Sequence, residues 1–478
     1  MLSFWILQFI TSWYFMRKIL IGLISLSVAS LSSCATLDNM FGSNQSSATQ
    51  HTASVSPNNE AFWKSNSGLV WNRLQTMPPK ELQSMLARDT NNSEASGWVK
   101  LALISKQYST RSPELIRELQ TWRQNYPNHP GNQLFPANAT LSSITTNPPK
   151  HIALLLPLQG PYAGQGKTIR DGFMRAYYAR AKTMPRQTLS FIDTSQNPDI
   201  AALYQQAVSK GADFVIGPLT KNDVQMIQRM GNFPAQTLAL NYSDSESLPT
   251  NFYEFGLSPL DETKQLADKA SQAGHRRAIL IAPRNDWGQR ISKSLTAQWQ
   301  NNGGAVVDVF YFSEDTNFSQ AIPDLLHINA KADREMMKKE NDKNMLAKQR
   351  RQDFDVIFLL AQPKEARQIV PLLKYYYAGN VPIYATSTVY AGISNPQRDV
   401  DLNGVIFCDI PSLIKSKNGK GNRLFAVGYD SYMLSHEMPR LIAIQNFPVY
   451  GATGALTLTS QHKIYRRLPW TQIQEGHI

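Results

Sequence analysis

The run Ile152-Ala153-Leu154-Leu155-Leu156-Pro157-Leu158, then Gly160, then Ile169-Arg170-Asp171-Gly172-Phe173, decides how the chain is read. A run this short and apolar at every position has no wet face. It reads as a strand buried on both sides, which is the pattern of a parallel sheet covered by helices. The same pattern recurs at 189–193, 214–216, 237–240, 278–282, 305–311, 356–360, 382–385 and 405–408. Helical segments with turn residues at their ends separate most of these runs. The fold class expected is therefore α/β, with parallel sheets. So many runs exceed one sheet, so 150–478 is expected to form two lobes.

Upstream the pattern is helical. Residues 58–130 place Trp98, Leu101, Ala102 and Ile104 on one helical face. Pro113 opens a second helix, with Ser112 as its candidate N-cap and Trp122 near its end. Tyr126-Pro127-Asn128-His129-Pro130 stops it. A helix pair closed by proline has the look of one tetratricopeptide-like unit. Residues 131–149 are polar with several prolines and read as a linker.

The first residues carry an address. Met16-Arg17-Lys18 precedes an uncharged apolar stretch that ends in Leu31-Ser32-Ser33-Cys34. A positive start, a short apolar middle and small residues before the cut form a secretory signal. The apolar stretch falls short of the ~20 residues a membrane span needs. Leu-Ser-Ser-Cys matches the lipobox, in which the cysteine thiol receives diacylglycerol and the new amino group is acylated. Residues 1–33 are thus expected to be a lipoprotein signal peptide, with Met16 as the favoured true start because Met16-Arg17-Lys18 is a complete signal start by itself; the alternative is that the uncharged residues 1–15 belong to a longer span that anchors the chain uncleaved. Ser-, Asn- and Thr-rich residues 34–57 are expected to be a flexible, lipid-anchored tether. By similarity to lipoprotein sorting in Gram-negative bacteria, Ala35 after the cysteine directs the chain to the outer membrane, facing the periplasm.

The formal net charge is +12 and the sequence pI about 9.5. Such a balance suits an acidic partner. No aromatic-interleaved basic tract and no zinc spacing are present, so nucleic acid is not an expected partner and no metal or cofactor is expected. Lipidation of Cys34 leaves Cys408 alone, in the apolar run 405–408, as a buried inert thiol.

Several motifs invite chemistry. Gly160 to Thr168 ends in Gly166-Lys167-Thr168 after a strand, like a phosphate-binding loop, and Asp193 sits at a neighbouring strand end. The loop needs glycine at 161, where Pro161 stands, so the ATPase reading is set aside. His436-Glu437 lacks the second histidine of a metalloprotease helix, and Pro439 is expected to interrupt that helix. No Gly-x-Ser-x-Gly elbow is present. No catalytic residue is assigned. Polar and aromatic residues directly after strands are where open α/β sheets bind ligands. The candidate cleft residues are Tyr162, Asn241, Tyr242, Asn285, Trp287, Thr386 and Ser387. Residues 331–351 mix many basic with some acidic residues and three methionines, which suits a protein-docking arm. Its candidate contacts are Lys338, Lys339, Arg350 and Arg351.

The opening 152–173 resembles type I periplasmic binding proteins. More narrowly, residues 150–478 resemble the LpoA/LppC family of outer-membrane lipoproteins. The stretches that carry this are Phe255-Gly256-Leu257-Ser258-Pro259, Arg350-Arg351-Gln352-Asp353, Tyr384-Ala385-Thr386-Ser387-Thr388-Val389-Tyr390, Leu402 to Pro411, Gly451-Ala452-Thr453-Gly454 and Arg466-Arg467-Leu468-Pro469-Trp470. The family's long form has an extended helical domain, and only 58–130 is available for it here. The resemblance implies a two-lobed periplasmic-binding-protein-like domain. It also implies a non-enzymatic regulator of peptidoglycan synthesis that binds a bifunctional penicillin-binding protein and raises its transpeptidase activity. The alternative is a lipid-tethered periplasmic receptor for an amino acid or other small ligand.

Overall fold

A computed structural model describes residues 60–88, 93–145, 147–180, 186–329, 350–416 and 421–478. Cys34, the tether, Lys338 and Lys339 lie outside the described residues.

Lobe 1 is a five-stranded parallel sheet in the order β2-β1-β3-β4-β5. The strands are β1 His151–Leu156, β2 Thr188–Asp193, β3 Phe214–Ile216, β4 Gln236–Ala239 and β5 Phe252–Glu254. β1 shows why an all-apolar run is needed. Ile152, Leu154 and Leu156 enter the core on one face of the sheet, while Ala153 and Leu155 enter a second core on the other. Lobe 2 has the order β14-β10-β9-β8-β6-β7. Its strands are β6 Arg277–Pro283, β7 Ala305–Phe312, β8 Val356–Leu359, β9 Ile383–Ala385, β10 Ile406–Cys408 and β14 Trp470–Gln472. Leaving out β14, which runs antiparallel to β10, this repeats the lobe 1 order. The small antiparallel sheet β11 Val449–Tyr450, β12 Ala455–Leu458 and β13 Ile464–Arg467 packs into the lobe 1 core through Val449, Leu456, Leu458 and Ile464.

Helices of eight residues or more are numbered from the N-terminus. The helical region holds α1 Ser67–Thr76, α2 Pro79–Arg88, α3 Ser93–Gln107 and α4 Ser112–Asn125. Lobe 1 has α5 Ala163–Arg180, α6 Ile200–Ser209 and α7 Lys221–Gln228. Lobe 2 has α8 Pro259–Gln272, α9 Asp286–Asn301, α10 Phe318–Leu325 and α11 Pro363–Leu373. The long α12 Arg423–Ala443 returns to lobe 1. It lies on α5 at backbone distance. A Cβ on Gly428 would stand 1.9 Å from the Ile169 carbonyl oxygen, and one on Gly172 would stand 2.0 Å from that of Phe425. Glycine is required at both crossings.

Two expectations need correction. Residues 131–149 are more than a linker: a short turn at Pro130–Leu134 and a helix at Asn138–Ser143 bury Phe135 and Leu141 in the core of the helical region. Nor does Pro439 break α12, which runs through it to Ala443. The missing N–H and the ring clash cost about 3 kcal/mol. Fourteen residues of the helix are buried, and that packing outweighs the local cost.

The helical region is welded to lobe 1. Ile444 and Phe447, just past α12, belong to the same apolar core as Trp71, Leu115 and Phe135. The buried Arg440 donates to Glu437 (3.1 Å), to the Phe447 carbonyl (2.7 Å) and to the Ser109 carbonyl (2.9 Å), and the Ser112 hydroxyl donates to Glu437. The Trp71 indole donates to the Asn446 carbonyl at 2.9 Å.

Candidate functional site

The chain passes between the lobes three times: after β5, after β10 and between β13 and β14. A cavity of about 500 Å³ lies at these crossings. Leu257 and Glu262 come from the first crossing and the start of α8. Ser387, Thr388 and Tyr390 follow β9. Asp409 and Arg423 flank the second crossing, and Arg466 and Leu468 reach in from the third.

The walls are a buried network of charges. Glu262 accepts from the backbone N–H of Ser387 (2.8 Å) and from its hydroxyl (2.9 Å). Asp409, fully buried, is gripped side-on by Arg423, whose Nε and Nη2 donate to its two oxygens at 2.9 and 2.5 Å. Arg423 also donates to the carbonyls of Ser387 and Tyr390. The Gln265 amide bridges the first and third crossings, donating to the Arg466 carbonyl at 3.0 Å and accepting from the Leu468 N–H at 2.7 Å. Burial pushes Glu262 above the usual carboxylate range, against the pull of Arg466. Burial also raises Asp261 and Asp430, each to about 6.

Of the seven expected cleft residues, Ser387 lines this cavity. The structure assigns the others elsewhere. The Asn285 side chain accepts from the Gly288 N–H and caps α9. Asn241 donates to the Leu219 carbonyl and accepts from the Tyr242 N–H. The Tyr242 hydroxyl pins the first crossing, its one proton within donating distance of the carbonyls of Ile464 (3.1 Å) and Gly256 (3.3 Å). Thr386 is buried against Thr388, Trp287 rests half-buried on the lobe 2 core, and Tyr162 stands exposed. Strand ends gather polar residues for the hydrogen bonding of the loops themselves, which accounts for Asn241, Tyr242, Asn285 and Thr386.

The glycines of two motifs have the same cause. A Cβ on Gly166 would meet the Pro157 carbonyl oxygen at 2.0 Å, and one on Gly288 the Pro283 carbonyl oxygen at 2.0 Å. Each lets a helix start close to a strand end. Asp193 accepts from the N–H groups of Leu158 and Ser195 and so ties two loops together. Nothing in this geometry needs a phosphate. Burial presses His436 down to about 4, between the Tyr432 carbonyl and Gln187. Burial likewise pushes the Cys408 thiol up.

Arg350 and Arg351 are not free rim charges. Arg350 is 6% exposed and donates to the Tyr377 and Arg351 carbonyls and to Asn380. Arg351 pairs with Asp308 at 2.6 Å and Asp353 at 2.7 Å. Both fasten the end of the 331–351 stretch to lobe 2.

Two lobes of identical strand order, crossed three times, with an interlobe cavity at the crossings, define the class: a type I periplasmic-binding-protein fold. A Chromobacterium violaceum protein provisionally described as a branched-chain amino acid ABC transporter shares it, at 21% identity and a TM-score of 0.52, covering 67% of this chain and 99% of that one. The family described as "LppC putative lipoprotein" matches residues 47–476, and the chain belongs to that family. Among its relatives is the penicillin-binding protein activator LpoA of Photobacterium profundum, 28% identical over 464 residues, covering 91% of this chain and 74% of the relative. The crystal structure of full-length LpoA from Haemophilus influenzae is 26% identical with a TM-score of 0.58, covering 85% of this chain and 72% of that one. No helix among the described residues is long and apolar enough to cross a membrane.

Proposed function

We propose that the chain is a non-enzymatic, outer-membrane lipoprotein that binds a bifunctional penicillin-binding protein and raises its transpeptidase activity. The observation that supports this best is the family match over 47–476, whose relatives are named as penicillin-binding protein activators. Acylated Cys34 would hold it to the membrane. Its physical means is a population shift: contacts made to the active form of the synthase favour that form. The weld between helical region and lobe 1 suits this role, because a rigid body transmits docking without losing energy to internal ordering.

The test is capture of the full-length chain from detergent-solubilised membranes. The bound proteins should include a synthase carrying both glycosyltransferase and transpeptidase domains. Capture of a transporter's membrane subunits in its place, with no synthase, would favour a receptor.

A further inference from the structure

Arg466 and Arg467 are neighbours in β13 and so point to opposite faces. Arg466 faces the interlobe cavity. Arg467 faces the helical region, where its Nη1 donates to the Asn72 carbonyl at 3.4 Å. Lys106 of α3 stands in the same seam. Its Nζ donates to the Gln75 carbonyl at 2.8 Å and to the Tyr450 hydroxyl at 3.0 Å, and lies 4.7 Å from the centre of the Tyr450 ring. The Tyr450 hydroxyl in turn donates to the Gln75 side-chain oxygen. Gln75 is 5% exposed, and its Nε2 has no hydrogen-bond partner. A third cation comes from lobe 2. Lys415 directly follows the short helix Pro411–Ile414, whose Leu413 is part of the lobe 2 core. Burial, then the charges of Arg467 and Lys415, press Lys106 down to about 8. Elsewhere in the fold Arg351, Arg423 and Arg440 each meet a carboxylate. No carboxylate among the described residues is in ion-pair range of Lys106, Arg467 or Lys415.

We propose that this seam binds a phosphate monoester, its oxygens held by Lys106, Arg467 and Lys415, with Gln75 Nε2 as a further donor. The class of ligand follows from the donors. One guanidinium, two ammonium groups and an amide N–H offer hydrogens only, which suits an oxyanion with several acceptor oxygens. The charge follows from the balance. Three cations without an acid are offset better by a phosphate monoester, which carries nearly two negative charges at neutral pH, than by a single carboxylate. Lys106 belongs to the helical region and Lys415 to lobe 2, so the ester would tie those two parts together. None of the four residues lines the interlobe cavity. The site goes beyond synthase binding and does not rest on it.

The probes are glycerol 3-phosphate, acetate and sodium chloride, titrated at matched ionic strength into the full-length chain by calorimetry. Glycerol 3-phosphate should bind saturably and raise the midpoint of thermal unfolding. Acetate and chloride should do neither. Lys106→Met removes the ammonium from the centre of the site. Lys415→Gln, at an exposed position, removes a charge without disturbing the packing. Each should weaken binding of the ester about tenfold or more, which is ~1.4 kcal/mol. The ligand-free midpoint of Lys415→Gln should stay that of the wild type, so its loss of binding is not a loss of fold. Vesicles bearing phosphatidic acid, added to the Cys34→Ser chain, separate the sources of the phosphate: competition with glycerol 3-phosphate assigns a lipid headgroup, and its absence a soluble ester. The proposal fails if glycerol 3-phosphate does not bind up to its solubility, if acetate matches it, or if Lys415→Gln binds it as the wild type does.

Discussion

Asp430 shows how much a single buried carboxylate reports on this hinge. It accepts from the N–H groups of Ala452 and Thr453 and from the Thr453 hydroxyl, and burial raises it to about 6. An acid whose folded pKa exceeds its unfolded value holds its proton longer in the native state. Its stabilising contribution is present at low pH and is lost as pH rises through 6. The wild type should therefore gain more over Asp430→Asn at pH 5 than at pH 7 in chemical denaturation. A difference independent of pH, or an Asp430 carboxyl resonance titrating below 4, would contradict this. The same residue scale shows why the site was hard to read. Ser387 was legible because it follows a strand directly. Asp409 had the same position, at the end of the run 405–408, and Arg466 had a signal in β13, where it alternates inward with Ile464. Neither could be joined to Glu262 from sequence, because the three meet only through separate crossings of the chain.

Elements differ in how openly they announce themselves. Nine strands were legible as apolar runs: β8 is buried at every position and β1 at all but His151, while the sheet-edge strands β2 and β7 are only partly covered. β5, β11, β12, β13 and β14 were not. They are two to four residues long, and in β13 arginine occupies an inward position, so no periodicity marks them. Glycines on helices gave no signal either, since close approach is a property of two elements. Gly428→Ala should force α12 off α5 and cost about 1–3 kcal/mol or more, as overpacking does. Gly164→Ala, on the same α5 with nothing within 4 Å, should instead stabilise by up to ~1 kcal/mol. Urea midpoints of the two variants moving in the same direction would refute this packing account. At the weld, Glu437→Ala strands the buried Arg440 and should cost about 3–5 kcal/mol. A loss below 1 kcal/mol would mean the helical region is held by its apolar core alone.

Across the whole molecule, two lobes and a helical region form one body, which the proposed function places on a lipid anchor. Mass spectrometry of the mature N-terminal peptide should find diacylglycerol on the Cys34 thiol and an acyl chain on its amine, and Cys34→Ser should abolish both. An intact Met1 or Met16 in the mature protein would remove the anchor from the account. Docking of the synthase is expected on the surface of this body. The chain should add no peptidase, glycosidase or ATPase activity of its own, and Lys167, exposed on α5, should be dispensable. Activation can be measured as the rate of peptide cross-linking by a purified bifunctional penicillin-binding protein from the same cell, with lipid-linked substrate and an equimolar amount of the full-length chain. Cross-linking should be faster in the mixture and absent with the chain alone. An unchanged rate with folded chain, at concentrations where the two proteins would be saturated, would contradict it.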